Sequence, residues 1–245
     1  MNIKEKFLQL TSRTYPYGTE NDLIHLLPNT LTSDEFGNYY VQIGETDTMF
    51  TSHLDTSSST VVNVNHVLDG QIIKTDGNTI LGADDKAGVT ILMFMIEHKV
   101  PGLYYFFIGE EVGCIGSSKV AELYKKNKNN KINKVISFDR RNTNSVITYQ
   151  SSRRCASDKF GNALANELNA AESSFSYKID PTGILTDSYK FIDCVPECTN
   201  ISVGYKNEHT TREEQNIFHL EKLAQACLKI NWHTLPIERS LRNQF

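Results

Sequence analysis

The chain has no basic surplus. Its 25 Lys and Arg stand against 29 Asp and Glu, a formal net charge of −4 over 245 residues. Binding that rests on phosphate contacts needs such a surplus, so a nucleic-acid partner is not expected. The densest basic stretch, Lys125-Lys126-Asn127-Lys128 with Lys131 and Lys134, reads as a solvated turn after a helix. Cysteine is scarce. The five residues, Cys114, Cys155, Cys194, Cys198 and Cys227, are odd in number and form no paired Cys-x-x-Cys set, which excludes a disulfide framework and a cysteine zinc site. Long apolar runs are missing as well. The longest, Val89 to Ile96, contains Thr90 and falls far short of the roughly 20 residues that span a bilayer, so no membrane partner is expected. Met1–Lys6 leads into an amphipathic stretch rather than the apolar core of a signal peptide, which points to the cytoplasm. Without an export signal, Cys194 and Cys198 are read as free thiols. Internal repeats and low-complexity linkers are absent.

A length of 245 residues with 39% apolar and 22% charged residues suits one α/β domain, with two small ones as the alternative. Apolar periodicity predicts helices near Ile3–Leu10, from about Glu20 to before Pro28, and over Asp85–His98, Cys114–Lys126, Ala156–Ala171 and Ile217–Trp232. Strands are expected at 36–43, 48–54, 103–108, 134–138, 145–150 and 200–203, with 103–108 a continuous apolar run of strand length. A hairpin is expected over Val61–Val67 and Gln71–Thr75, turned at Asp69-Gly70. Strands alternating with helices predict a three-layer α/β/α architecture with a mixed central sheet. In such folds the chemistry collects where strands end.

Polar motifs sit at those ends: Ser52-His53-Leu54-Asp55-Thr56, Gly82-Ala83-Asp84-Asp85-Lys86-Ala87-Gly88, Gly109-Glu110-Glu111-Val112-Gly113, Ser137-Phe138-Asp139-Arg140 and Asn207-Glu208-His209-Thr210. One Asp at a strand end is usually a cap or a turn residue. Glu110-Glu111, directly after Phe106-Phe107-Ile108, resists that explanation. Two adjacent carboxylates beside a buried strand repel each other and resist desolvation, and the motif holds no Lys or Arg. Asp84-Asp85 poses the same problem. Divalent metal supplies the missing charge. Zinc takes His nitrogen and carboxylate oxygen, and a two-metal site needs one shared carboxylate and further ligands for each ion. The five motifs offer one ligand each: His53, Asp84, Glu111, Asp139 and His209. Glu110 is left over as a general base. Asp55 is placed to accept the second ring N–H of His53.

In this order, His-x-Asp, Gly-Ala-Asp-Asp-Lys-Ala-Gly, Glu-Glu-Val-Gly, Asp and His resemble the co-catalytic di-zinc exopeptidases, a clan that includes bacterial tripeptidases and single-domain leucyl-type aminopeptidases. The resemblance spans His53 to His209. It implies that Asp84 bridges two ions, that His53 and Asp139 complete one and Glu111 and His209 the other, that Glu110 is the general base and acid, and that Asp55 orients His53. It also implies a cis peptide at Asp84-Asp85. The 31 residues from His53 to Asp84 and the 70 from Asp139 to His209 leave no room for the inserted or lid domain of some relatives. A single catalytic domain over residues 1–245 with an open pocket is therefore expected.

The implied activity is hydrolysis of short peptides by a di-zinc metallopeptidase, as an aminopeptidase in the first instance. A carboxypeptidase or N-acyl amino-acid deacylase with the same metals remains open, as does a non-catalytic metal-binding pseudo-peptidase. Two Zn²⁺ suit these N/O ligands, and Co²⁺ or Mn²⁺ fit them too. Candidate substrate contacts are Asp187, against a helix cap as the alternative; Arg140, whose guanidinium suits a carboxylate; and Tyr205, as a pocket-lining ring. Arg141, Arg153 and Arg154 are read as surface ion pairs, and His25, His66, His98, His219 and His233 as surface or packing residues. Nothing in the sequence fixes the oligomeric state.

Overall fold

The computed structural model describes residues 1–127 and 130–241. Lys128 of the basic stretch lies outside them. Eight strands build the main sheet: β1 (Thr32–Ser33), β2 (Tyr39–Ile43), β3 (Thr48–His53), β4 (Gly102–Phe107), β5 (Lys134–Arg140), β6 (Ser145–Ile147), β7 (Lys178–Asp180) and β8 (Glu197–Ser202). Across the sheet they run β1-β2-β4-β3-β5-β8-β6-β7. The centre is parallel: Phe50 of β3 lies opposite Tyr104 of β4 and Ile136 of β5, and Cys198 of β8 opposite Val135 of β5. β7 pairs in parallel with β6. β1, β2 and the β8–β6 contact are antiparallel, so the sheet is mixed. Every residue of β3 is buried, as expected of a strand covered on both faces; its polar members are partnered inside, Thr51 with Ser137 and Ser52 with Asp85.

Helix α2 (Ala83–Glu97) lies on β3 and β5, flanked by α1 (Ile3–Leu10) and α5 (Ile217–Cys227); α4 (Asp158–Ala171) packs on α5, β6 and β7. On the opposite face α3 (Ile115–Lys126) packs on a 3-10 helix, Asp187–Phe191. Strand alternation assigns the layers: the Phe50 ring meets Phe138 and Trp232, whereas Phe107 meets Phe191. Three helices start on capping side chains that accept a free backbone N–H, Asn2 from Glu5, Ser157 from Phe160 and Asn216 from His219. A second, antiparallel sheet joins Tyr205–Lys206, Glu214–Asn216, Ile72–Thr75 and His66–Asp69. Its last hairpin turns at Gly70, with φ 62, the positive value that a two-residue turn demands.

Several boundaries differ from the sequence reading. The helix expected from Glu20 is a 3-10 helix, Glu20–Leu26. The strand expected over 145–150 divides at Thr148, whose N–H turns to the carbonyl of Asp180. The last helix stops at Cys227, and Trp232 opens a separate 3-10 turn. Lys134 is not part of a solvated turn: it is fully buried, and its ammonium lies 2.7 Å from Asp47 Oδ2. All five cysteines are free thiols.

His219 is a packing residue with a measurable consequence. Its ring is buried against Phe175, and its Nε2 lies 3.0 Å from the Tyr177 hydroxyl. Burial lowers its pKa to about 4, so the folded chain holds it neutral while the unfolded chain protonates it near pH 6.5. Between those values the unfolded state carries the extra proton, so stability rises with pH there and is lost as pH falls. The expected loss from pH 7 to pH 4 is about 3 kcal/mol from this residue. Urea titrations of the wild type and His219→Gln test this; equal slopes of stability against pH in that window would refute it.

Candidate metal centre

The parallel strands set the site. His53 ends β3, Glu110 and Glu111 follow β4, and Asp139 sits near the end of β5. Asp84 enters from α2, where the chain is not yet helical: Asp84 has φ −78 and ψ 102, and the Asp84-Asp85 peptide is cis. His209 comes from the loop between Tyr205–Lys206 and Glu214–Asn216, at φ 61. The five motifs therefore converge on one end of the sheet.

Asp84 stands between two groups. Its Oδ1 lies 3.0 Å from His53 Nε2, which is 3.7 Å from Asp139 Oδ1. Its Oδ2 lies 3.2 Å from His209 Nε2, which is 3.0 Å from Glu111 Oε1. Glu111 Oε1 is buried, with the His209 ring nitrogen as its close polar neighbour. Donor atoms of His53, Asp84 and Glu111 lie within 4.8 Å of one another, and so do those of His53, Asp85 and Asp139. Asp85 is the weaker candidate, because its oxygens already accept from Ser52 Oγ, His53 N and Gly88 N at 2.5, 3.2 and 3.1 Å. Convergent imidazole nitrogens and carboxylate oxygens are the donor set that divalent metal takes.

The charges agree with that fit. Burial opposes a charge on His53, yet the carboxylates of Asp139, Asp55 and Asp84 hold its pKa well above the ordinary value. Asp84 and Glu111 push His209 up to about 11. Burial favours the neutral form of Asp84, but His209 and His53 hold it well below the carboxylate range. Burial raises Asp139 to about 6 and Glu110 well above its usual value, with neighbouring carboxylates adding to both. So dense an acidic cluster calls for cations.

Asp55 ties two motifs together. Oδ1 lies 3.3 Å from His53 Nδ1 and accepts the Glu110 N–H at 3.0 Å, while Oδ2 accepts the Glu111 N–H at 3.0 Å. Asp139 is gripped by Tyr205, whose buried hydroxyl donates to Oδ1 at 3.0 Å, and by Thr186 on Oδ2. Tyr205 lines the cleft, with its polar end engaged by Asp139. Asp187 is 1% exposed and lies within the 3-10 helix; one of its oxygens has no hydrogen-bond partner among the described residues. Burial pushes it up to about 7. Arg140 and Arg141 line the same cleft of about 210 Å³ as Asp84, Glu110, Asp139 and His209.

Two supports were not legible in the sequence. Glu213 is buried, and its carboxylate accepts the N–H groups of Leu81, Gly82 and Asp84 at 2.9, 2.7 and 2.9 Å, which fixes the turn that presents Asp84. Asn200 accepts from Asp139 N and donates to Asp139 O, at 2.9 and 2.7 Å. Both are single polar residues without a pattern of their own. Gly88, in contrast, is a visible part of its motif. A Cβ there would lie 2.2 Å from the Phe138 carbonyl oxygen and 2.6 Å from Asp85 Oδ1. Gly88→Ala is therefore expected to lower stability by about 1–3 kcal/mol through overpacking, read by chemical denaturation. A change below about 0.5 kcal/mol, the level of an ordinary surface substitution, would contradict this packing.

A sequence model of Peptidase family M28 matches residues 38–234, most of the chain and all five motifs. The chain belongs to peptidase family M28. A curated relative, the uncharacterized protein YqjE of Bacillus subtilis, is 45% identical over 84 residues, 30% of this chain and 22% of that protein. The chain thus spans about a fifth of that relative's length. Among solved structures, aminopeptidase PepT from Bacillus cereus superposes with a TM-score of 0.74 at 14% identity, over 93% of this chain and 96% of that one. A tripeptidase from Staphylococcus aureus gives 0.69 at 16%, over 93% and 96%. The TET1 peptidase of Pyrococcus horikoshii, which can assemble into a tetrahedron or a large octahedral shell, gives 0.64 at 16%, over 94% and 100%. At such identities the likeness is one of fold. It agrees with the three-layer α/β/α architecture and the mixed sheet read from the M28 chain's sequence.

Proposed function

We propose that this M28 chain is a two-metal aminopeptidase acting on short peptides. The observation that carries the reading is the position of Asp84, with one oxygen toward His53 and Asp139 and the other toward His209 and Glu111, and with Glu110 beside them in the cleft. Asp84 would be the shared ligand, His53 and Asp139 would hold one ion, and Glu111 and His209 the other. Two divalent ions, most simply Zn²⁺, supply Lewis-acid polarisation of a scissile carbonyl and a more acidic water. Glu110 removes the proton from the attacking water and returns it to the leaving nitrogen. Burial raises the Glu110 pKa, which brings the carboxyl toward the range where it can both take and give a proton near neutrality. Asp55 holds the His53 ring by Nδ1 and anchors the Glu110–Glu111 backbone, so that base and ligands keep one relative position.

The site takes a small substrate, and we read residues 1–245 as one catalytic domain without a lid. No helix among the described residues is long and apolar enough to cross a membrane. The structural neighbours named for aminopeptidase and tripeptidase activity support hydrolysis from a free amino end.

The test is hydrolysis of one tripeptide, with and without an N-acetyl group, by zinc-loaded protein. Cleavage of the free-amine form alone is expected. Cleavage of the acetylated form alone would replace the reading by a deacylase or carboxypeptidase with the same ligands. Stoichiometric zinc binding with no cleavage of either form would make the chain a metal-binding pseudo-peptidase.

A further inference from the structure

We propose that Arg140, with Arg141 at the rim, forms a subsite for a carboxylate of the substrate; this rests on the peptidase reading above. Arg140 follows Asp139 on β5, and both line the cleft with Asp84, Glu110 and His209. Its side chain is 8% exposed. A guanidinium so deeply buried is ordinarily held by a carboxylate in a two-point fork. Here that partner is missing among the described residues. Asp180 Oδ2 approaches no nearer than 3.6 Å. The Asp180 oxygens are already engaged, by Ser145 Oγ at 2.8 Å, Thr182 N at 2.8 Å and Thr182 Oγ1 at 2.6 Å. Arg140 Nη2 makes two long bonds, to Thr182 O at 3.3 Å and Thr182 Oγ1 at 3.4 Å, and its buried Nε has no hydrogen-bond partner among the described residues.

The neighbouring arginines show what a structural ion pair looks like in this fold: Arg153 lies 2.6 Å from Asp193 and Arg154 2.9 Å from Asp158. Arg140 is thus a cation with incompletely used donors, on the lining of a cleft whose other ionisable groups are mainly acids. An anionic substrate entering so acidic a cleft needs such a counter-charge. Arg141 pairs with Glu208 at 3.0 Å on the rim. Ile184 and Leu185, both exposed, add an apolar wall to the same cleft and suit the side chains of a peptide laid along it. The carboxylate can be the free C-terminus of a di- or tripeptide or the side chain of an acidic residue.

The experiment uses two substrate pairs and zinc-loaded full chain: Leu-Gly-Gly against its C-terminal amide, and Glu-Gly-Gly-amide against Gln-Gly-Gly-amide. The wild type is expected to favour the carboxylate-bearing member of one pair by about 10–100-fold in kcat/KM, mostly through KM. A preference confined to the first pair assigns the C-terminus; one confined to the second assigns an acidic side chain. In Arg140→Met the ratio should fall toward one, and Arg140→Lys, which keeps the charge without the fork, should retain part of it. Cleavage of all four substrates by the wild type with both ratios near one overturns the subsite while the peptidase reading stands. Cleavage of none overturns that reading, and the subsite with it.

Discussion

Glu110→Gln is expected to bind metal as the wild type does and to lose about 10²–10⁴-fold in kcat. The two parts of this expectation have separate physical origins. Among the described residues the Glu110 carboxylate is approached by Cys114 Sγ, which donates to Oε1 at 3.4 Å, while its backbone N–H, not its carboxylate, is what Asp55 Oδ1 accepts. The amide has the size and shape of the acid, so the turn that carries Glu111 is preserved and the ligand set is undisturbed. What disappears is proton transfer, because an amide cannot take a proton from water at neutral pH or deliver one to a departing nitrogen. KM should move little, since the loss falls on the transition state and not on binding. Metal content by elemental analysis and kcat on a free-amine tripeptide check the two halves. Full activity would remove Glu110 from the chemistry, and loss of metal would make it a ligand.

The features visible in the sequence were those whose physical demands are local. A strand covered on both faces favours apolar residues, and β4, Leu103 to Phe107, announces itself that way, as do Met49-Phe50 of β3 and Val135-Ile136 of β5 more briefly. Acidic pairs at the ends of such strands conflict with burial, and the conflict marked Asp84 and Glu110–Glu111. Gly88 was legible as part of a dense motif, although the reason for it, the approach of the Phe138 carbonyl, appears only in three dimensions. Very short strands carried no such demand. Lys178–Asp180 and Glu214–Asn216 have three residues each, too few for any period to show. Lys134 was misread because its neighbours Lys125, Lys126 and Lys131 are of one charge; the partner that buries it, Asp47, lies 87 positions away. Glu213 was missed for the same reason, since its three N–H donors belong to residues 81–84.

Asp84→Asn should have the largest effect of all on metal, and Asp85→Asn separates it from its neighbour. The two carboxylates are adjacent, both are buried, and either can be drawn into a three-residue group with His53. Their surroundings differ. Asp84 offers its two oxygens outward, to His53 and His209, on opposite sides. Asp85 directs its oxygens inward, to Ser52, His53 N and Gly88 N. In the proposed two-ion site, an amide at 84 would remove a negative charge that both ions share and replace one donor oxygen by an NH₂ group that cannot ligate. Loss of an outer partner of a ligand already weakens metal binding by about 10–100-fold, so loss of the shared ligand is expected to exceed the upper figure. The variant should hold at most one ion, and its activity should fall by more than about 100-fold. It should also lose most of the thermal stabilisation that zinc gives the wild type, because a ligand stabilises only in proportion to its affinity for the folded chain. An amide at 85 turns a donor toward N–H groups that need an acceptor, at a cost of about 1–3 kcal/mol in the stability of the metal-free chain. Two-ion stoichiometry should survive there. The opposite pattern, with Asp84→Asn binding two ions and Asp85→Asn losing them, would move the shared ligand to Asp85 and overturn the geometry from which the function was read.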